Sequence, residues 1–138
     1  MLLIRDIMTR HLFTVEAGAS AEEAAWALTR RHIGGAPARD AEGNLVGVVS
    51  KSDLIDPEPA QWLRKEATVA DLMNPDVVTL YADDPAMAAV SEMAKREIHR
   101  IIILDENSKP VGIVTPMDVV RALHFGARFE LTQESPGT

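Results

Sequence analysis

Apolar residues recur at helical spacing after Ser20 and again after Asp84-Pro85. Serine and proline commonly begin helices, so both segments predict amphipathic helices whose apolar faces pack inward. The apolar positions are Ala21, Ala24, Ala25 and Leu28 in the first segment and Ala86, Ala89, Val90 and Met93 in the second.

Short apolar runs bounded by turn residues predict three strands around each of these helices. One strand precedes each helix, at residues 12–15 and 77–80, and two follow it as a hairpin, at 36–39 with 45–49 and at 100–104 with 111–114. A short helical turn opens each series, at 5–8 and 69–73, and a last helix begins near Ser52 and near Pro116. Each half of the chain is therefore ordered helix, strand, helix, strand, strand, helix.

The two series are an internal repeat with a constant offset of 65 residues, as from Asp6 to Asp71, and no gap is needed. Polar positions repeat together with apolar ones, so the similarity extends beyond a shared secondary structure. The matched pairs include Met8 with Met73, Gly47 with Gly112, Ser50 with Thr115 and Asp53 with Asp118.

Composition excludes several classes of protein. The 138 residues are 46% hydrophobic, which is enough for a core, and the formal net charge of −7 disfavours nucleic-acid binding because the surface repels phosphate. No apolar run reaches the roughly 20 residues that span a bilayer, and Arg5 and Asp6 interrupt the amino terminus before any signal-peptide core. We therefore expect a cytoplasmic protein with no membrane partner.

Cysteine and histidine usage argues against a metal centre. The chain has no cysteine, so it can form neither a disulfide framework nor a thiolate metal site. The four histidines, at positions 11, 32, 99 and 124, lack metal-ligand spacing. The sequence also has no nucleotide P-loop and no nucleophile elbow, so we predict no catalytic residues, no metal site and no required cofactor.

The most specific pattern in the chain is glycine, a hydrophobic residue, any residue, serine or threonine, two residues and aspartate. It occurs from Gly47 to Asp53 and again from Gly112 to Asp118. This motif, inside a repeat that runs from Arg5 to Leu123, resembles the CBS domain, and the tandem resembles the Bateman module that two CBS domains form. The resemblance implies an α/β fold of two pseudo-twofold-related repeats, each a short three-stranded sheet with flanking helices, which together form one disc-like module.

The breaks in the pattern give the expected domain boundaries. Repeat 1 is expected at residues 5–56 and repeat 2 at residues 69–125, with a linker at 57–68 that begins in a proline-rich stretch. Trp62 and Leu63 in the linker are expected to dock on the module. Residues 126–138 form the C-terminal tail, which we predict to be disordered because it lacks periodicity and carries proline and glycine.

A nucleotide presents an aromatic face, a ribose diol and a phosphate, so its binder needs three environments. A carboxylate accepts hydrogen bonds from both hydroxyls of a diol, and a hydroxyl residue at a helix start lies where backbone N–H groups favour phosphate. The resemblance implies that Asp53 and Asp118 bind ribose while Ser50 and Thr115 reach toward phosphate. The implied ligand is an adenosine-containing compound such as AMP, ADP, ATP with Mg²⁺, NAD or S-adenosylmethionine.

By the same resemblance, the motif of each repeat forms a cleft with the first strands of the other repeat. The first cleft would contain Ser50, Asp53, Val77, Val78, Thr79, His99 and Arg100. The second would contain Thr115, Asp118, Phe13, Thr14, Gly35, Ala36 and Pro37. Ile98-His99-Arg100 is similar to a phosphate-contacting stretch in members of the family, and glycines 34 and 35 occupy the matching positions of repeat 1, so we expect stronger phosphate binding in the first cleft.

Two functions stay open from the sequence. In the first, the protein is a regulatory sensor that binds an adenosine nucleotide, forms a homodimer through apolar helix faces and signals to an unknown effector protein. In the second, it is a constitutive dimerisation scaffold with vestigial clefts. The hydroxyl and carboxylate of each motif then serve only as a helix capping box, which explains their spacing without a ligand.

Overall fold

The elements follow one another in the order that the sequence predicts. The computed structural model describes residues 1–10, 12–54 and 67–130. In chain order the elements of this part are α1 (Ile4–Ile7), β1 (Val15–Glu16), α2 (Ala21–Arg30), β2 (Gly35–Arg39), β3 (Leu45–Ser50), α3 (Lys51–Leu54), α4 (Val69–Leu72), β4 (Thr79–Tyr81), α5 (Ala86–Arg96), β5 (Ile101–Leu104), β6 (Pro110–Val114) and α6 (Pro116–His124).

The strands form two three-stranded sheets of identical topology, ordered β1-β2-β3 and β4-β5-β6. In each sheet the first strand is parallel to the second, and the second and third form the predicted antiparallel hairpin. β1 and β4 begin later than expected, at Val15 and Thr79. The difference arises because β1 pairs only with the last two residues of β2, so residues 12–14 precede the ladder.

The elements group into two compact units, and one of them is built from distant parts of the chain. The central unit consists of residues 13–77, and the terminal unit combines residues 1–12 with those from Val78 onward. The core of the central unit contains Val15, Ala24, Leu28, Ala36, Ala38, Val49 and Val69. The core of the terminal unit contains Ile4, Ile7, Ala86, Ala89, Met93, Ile101, Ile103 and Val114.

The first short helix of each repeat packs in the unit that holds the hairpin of the other repeat. Ile4 and Ile7 of α1 are buried in the core of the terminal unit, whereas Val69 of α4 is buried in the central unit. The chain just after each helix then forms a two-way backbone bridge with a hairpin strand. Thr9 pairs with Ile113 of β6, with N···O distances of 2.9 and 3.0 Å, and Asn74 pairs with Val48 of β3, with 2.8 and 2.9 Å.

Each short helix can pack in the unit that holds the hairpin of the other repeat because the motif of that hairpin begins with a glycine. A Cβ atom on Gly47 would lie 2.5 Å from Sδ of Met73, and one on Gly112 would lie 2.7 Å from Sδ of Met8. Each methionine therefore occupies the space that a side chain at the glycine would need. The repeated methionine and the repeated glycine are thus partners in one contact, made between the two repeats in both directions.

Local hydrogen bonds explain where the short helices and turns begin. Thr68 caps α4, and hydrogen bonds from its backbone amide and side chain lower the pKa of Asp71 from its usual 3.8. In the first hairpin turn, Asp40 accepts hydrogen bonds from the amides of Asn44 and Glu42, and these lower the pKa of Asp40. Both carboxylates therefore stabilise the fold above their ordinary pKa, and this contribution is lost as pH falls through the lowered value.

Several expectations concern the ends of the repeats. The linker between residues 57 and 66, with Trp62 and Leu63, lies outside the described residues, and so do residues 131–138. Phe129, within the expected tail, packs against the core of the terminal unit. Among the described helices, none is long and apolar enough to cross a membrane.

The methionine–glycine contact gives a prediction about stability. Gly47→Ala should lower the free energy of unfolding by about 1–3 kcal/mol, because the new methyl group overpacks against Met73 and lies 3.1 Å from the carbonyl oxygen of Asn74. Urea unfolding measures the loss. Gly18→Ala is the matched control, since a methyl group at this position would meet no neighbouring atom within 4 Å and the stability should be unchanged. Equal stability of the two variants would contradict the contact.

Candidate ligand-binding site

The predicted site residues of the central unit lie at one end of its sheet. Gly35 begins β2 and pairs with Ser50, the last residue of β3, and α3 then carries Asp53. Continuing the parallel register of β1 places Phe13 and Thr14 beside the start of β2. The side chains of Ala36 and Pro37 are buried in the sheet, so they have a core role.

The terminal unit repeats this arrangement. β4 and β5 are parallel and begin at the end of the sheet where β6 stops and α6 starts. The carbonyl of Val78 accepts a hydrogen bond from the amide of Ile102 at 3.1 Å, which fixes the start of β4. The predicted residues gathered at this end are Val78, Thr79, His99, Arg100, Thr115 and Asp118.

The residues predicted for each cleft come from both units. Ser50, Asp53 and Val77 of the first set belong to the central unit, and its other members belong to the terminal unit. In the second set, Thr115 and Asp118 belong to the terminal unit, and the remaining members belong to the central unit. The composition of each cleft stays a prediction.

The motif of the central unit forms the capping box that the sequence predicts. The amide of Ser50 donates to Oδ2 of Asp53 at 2.9 Å, and the amide of Asp53 donates to Oγ of Ser50 at 3.2 Å. Oγ of Ser50 also lies 2.9 Å from Oγ of Ser52. Asp53 is exposed, and among the described residues no hydrogen bond reaches its Oδ1. The carboxylate can therefore cap α3 and still accept a hydrogen bond from a ligand.

The motif of the terminal unit is far more enclosed. Asp118 is 4% exposed, and each of its two oxygens accepts two hydrogen bonds. Oδ1 accepts from the hydroxyl of Thr9 at 2.8 Å and from Arg121 at 3.2 Å. Oδ2 accepts from the amide of Thr115 at 2.8 Å and from its hydroxyl at 3.2 Å. Sequence reasoning missed Thr9 because 109 residues separate it from Asp118.

The basic pair of the terminal unit, His99 and Arg100, is not engaged by neighbouring described residues. His99 is exposed and Arg100 is half-buried at the start of β5. Within residues 1–10, 12–54 and 67–130, neither side chain makes a hydrogen bond or an ion pair. The guanidinium of Arg100 is positively charged, so this end of the sheet offers a cation to an anionic ligand.

A cation also lies at the corresponding end of the central unit, and sequence reasoning missed it. The guanidinium of Arg31 lies 3.9 Å from the centre of the Phe13 ring. The matching arginine of the other repeat, Arg96, is instead bound to Glu92 at 2.6 Å. The residue that matches Glu92 is Ala27, so Arg31 has no carboxylate one turn earlier. Comparing the two repeats at their constant offset could have identified Arg31 from the sequence.

The donor sets of the two sheet ends do not resemble a metal centre. Among the residues that the structure describes, no group of three or more histidine, cysteine, aspartate or glutamate side chains could hold a metal ion. The two ends present hydroxyls, one exposed carboxylate, cations and apolar strand ends. This combination suits an organic anion that carries hydroxyl groups.

Two three-stranded sheets of the same topology, each followed by the hydroxyl–carboxylate motif, define a tandem of small α/β repeats. The family model for the CBS domain matches residues 4–57 and again residues 69–125. The chain belongs to the CBS-domain family, as a tandem pair.

Curated relatives contain this tandem within longer proteins. An uncharacterised protein of Methanocaldococcus jannaschii is 30% identical over 120 residues, which is 87% of this chain and 39% of the relative. The L-aspartate semialdehyde sulfurtransferase of the same organism is 29% identical over 126 residues, which is 91% of this chain and 24% of the enzyme. The chain thus spans well under half the length of these relatives.

Solved structures include CBS-domain pairs with bound adenosine compounds. CBSX2, which is known from Arabidopsis thaliana, in complex with AMP is 28% identical, with a TM-score of 0.78 over 91% of this chain and 98% of the other. The CBS-domain pair of protein MJ0100 in complex with 5-methylthioadenosine and S-adenosyl-L-methionine is 27% identical, with a TM-score of 0.78 over 92% and 99% of the two chains.

Proposed function

We propose that the protein is a non-catalytic regulatory module that binds an adenosine-containing nucleotide and passes the signal to a separate effector protein. The observation that carries this proposal is the exposed carboxylate of Asp53, one oxygen of which accepts no hydrogen bond within the described residues, together with the basic side chains of His99 and Arg100, which make no hydrogen bond or ion pair there. Two solved CBS pairs that resemble this chain are complexes with AMP and with S-adenosylmethionine, which supports an adenosine compound as the ligand.

Each part of such a ligand has a proposed partner. Asp53 accepts hydrogen bonds from the ribose hydroxyls through the oxygen that α3 does not use, because a charged acceptor suits a diol. His99 and Arg100 bind the phosphate, with Ser50 as a further hydroxyl donor. The adenine packs against apolar strand starts, where backbone groups recognise its amino edge. The proposed strand residues are Val77, Val78 and Thr79 in the first cleft. In the second cleft, beside Thr115 and Asp118, they are Phe13, Thr14, Gly35, Ala36 and Pro37, and the buried Ala36 and Pro37 act through their backbone.

The alternative function is a constitutive scaffold. The capping hydrogen bonds of both motifs favour it, because Ser50 and Asp53 stabilise the start of α3 with no ligand present. A sensor and a scaffold differ in one measurable property, which is saturable binding of a nucleotide.

Calorimetric titration of AMP, ATP and S-adenosylmethionine into the wild-type protein tests the sensor. We expect saturable heat with at least one of them, because the exposed carboxylate and cations offer partners to a ribose and a phosphate. Absence of saturable heat with all three compounds would establish the scaffold instead.

The phosphate role of the basic pair is tested by replacing it with the glycines that repeat 1 has at those positions. The double variant His99→Gly/Arg100→Gly should lose about tenfold to a hundredfold in AMP affinity, because charge-assisted hydrogen bonds contribute about 1.5–3 kcal/mol. Its affinity for adenosine, which lacks the phosphate, should change little. Arg128→Gly, which removes an exposed cation of the same unit, controls for net charge. Equal affinity of the wild type for AMP and adenosine would refute this role.

We further propose that the protein is a homodimer and that α6 contributes to the interface. Val119 and Ala122 of this helix pack toward the core, so a second apolar side is left uncovered. Four large apolar residues on or next to it are 54–79% exposed, namely Met117, Val120, Leu123 and Phe125. A second copy of the chain would remove this surface from water.

Sedimentation equilibrium at micromolar concentration tests the dimer. The wild type should sediment as a dimer, and Val120→Glu/Leu123→Glu should shift it toward the monomer, because buried charges destabilise an apolar interface. Asn107→Glu also adds a negative charge, in an exposed hairpin turn, and should leave the dimer intact. A monomeric wild type would rule the dimer out.

A further inference from the structure

The two motif aspartates occupy the same place in the repeat, yet their carboxylates are used differently. Both oxygens of Asp118 are saturated within the terminal unit, and the side chain is 4% exposed. A carboxylate has about four acceptor positions, and Asp118 uses four of them. Asp53 is exposed and, within the described part of the chain, accepts one hydrogen bond, through Oδ2.

Two sequence differences between the repeats, when these are aligned at their constant offset, explain this contrast. The position that matches Thr9 is Asn74, whose Oδ1 accepts a hydrogen bond from the amide of Asp76 at 2.9 Å. The position that matches Arg121 is aspartate 56, which cannot donate to a carboxylate. Within the described part of the chain, neither donor that binds Oδ1 of Asp118 therefore has a counterpart at Asp53.

The hydroxyl of the motif also differs. Oγ1 of Thr115 donates to Oδ2 of Asp118 at 3.2 Å, whereas Oγ of Ser50 accepts from the amide of Asp53. A ligand diol that reached Asp118 would have to displace Thr9, Thr115 or Arg121. Because each donor already pairs with this 4% exposed carboxylate, a ligand hydroxyl would exchange one hydrogen bond for another and gain little there. Asp53 requires no such displacement.

We propose that Asp118 is a structural residue, which holds the segment after α1 to the start of α6, and that Asp53 is the sole motif aspartate that binds a ribose diol. This inference rests on the proposed function and adds a definite stoichiometry to it. The chain should bind a single adenosine nucleotide in a manner that depends on Asp53. Thr9 and Arg121 are positioning residues, because they act through Asp118.

The stability arm of the test examines the structural role of Asp118. Thr9→Val removes the hydroxyl that reaches Oδ1 and should lower the midpoint of thermal unfolding by several degrees. Thr29→Val, at an exposed threonine of α2, is the matched control and should leave the midpoint unchanged. If Asp118→Ala folds, combining it with Thr9→Val should cost less than the sum of the two single changes, because both remove the same hydrogen bond. Full additivity, or a Thr9→Val variant as stable as the control, would overturn the structural role.

The binding arm uses calorimetric titration of AMP at a temperature where every variant is folded. The wild type should bind one AMP per chain, Asp53→Asn should weaken binding at least tenfold, and Thr9→Val should stay within about twofold of the wild type. Two AMP molecules per chain, or an affinity that Asp53→Asn leaves unchanged while Thr9→Val alters it strongly, would overturn the assignment. A wild type that binds no nucleotide would refute the proposed function and the diol role of Asp53, and the stability arm would still decide the role of Asp118.

Discussion

The fold depends on the contact between a methionine of one repeat and a glycine of the other. Met8 lies against Gly112 and Met73 lies against Gly47, and in both cases a backbone bridge to the hairpin follows within two residues. This contact fixes the short helix before each methionine on the core of its unit. The contact also positions the strand on which each motif begins. The positions of the motif's hydroxyl and carboxylate therefore depend on this contact. The glycine of the motif is therefore a packing requirement, and the shared geometry of the two motifs follows from the packing.

The same motif makes different hydrogen bonds in the two repeats. In the central unit the carboxylate of Asp53 completes a capping box and retains an exposed oxygen. In the terminal unit the matching carboxylate, that of Asp118, accepts hydrogen bonds from Thr9, Thr115 and Arg121. Within the described residues, the motif carboxylate thus keeps an open acceptor position in one repeat and none in the other. A duplicated sequence of this kind can keep its fold while its two motifs take on separate tasks.

Much of the fold could be predicted from the sequence, because its signals are local. Helical spacing, hairpin turns and the constant repeat offset identified the order of the elements and both hairpins. The starts of β1 and β4 could not be placed as well, because short parallel strands depend on their partner rather than on their own residues. The contact of Thr9 with Asp118 joins residues 109 positions apart, and no periodicity encodes it. The contact of Arg31 with Phe13 was missed for a different reason, since the two repeats were not compared at position 27, where an alanine replaces the carboxylate that binds the matching Arg96.

The exchange of the first helices has a consequence for how the chain folds during synthesis. The central unit is contiguous, from Phe13 to Val77, so every segment of it is present once that stretch has left the ribosome. The terminal unit combines residues 1–12, which are made before the central unit, with the strands and helices after Val78, which are made after it. Ile4 and Ile7 can therefore reach their core contacts with Ile101, Ile103 and Val114 only after the central unit has been made. Contacts between segments so far apart in the chain form slowly, so the central unit can complete its core earlier in synthesis than the terminal unit.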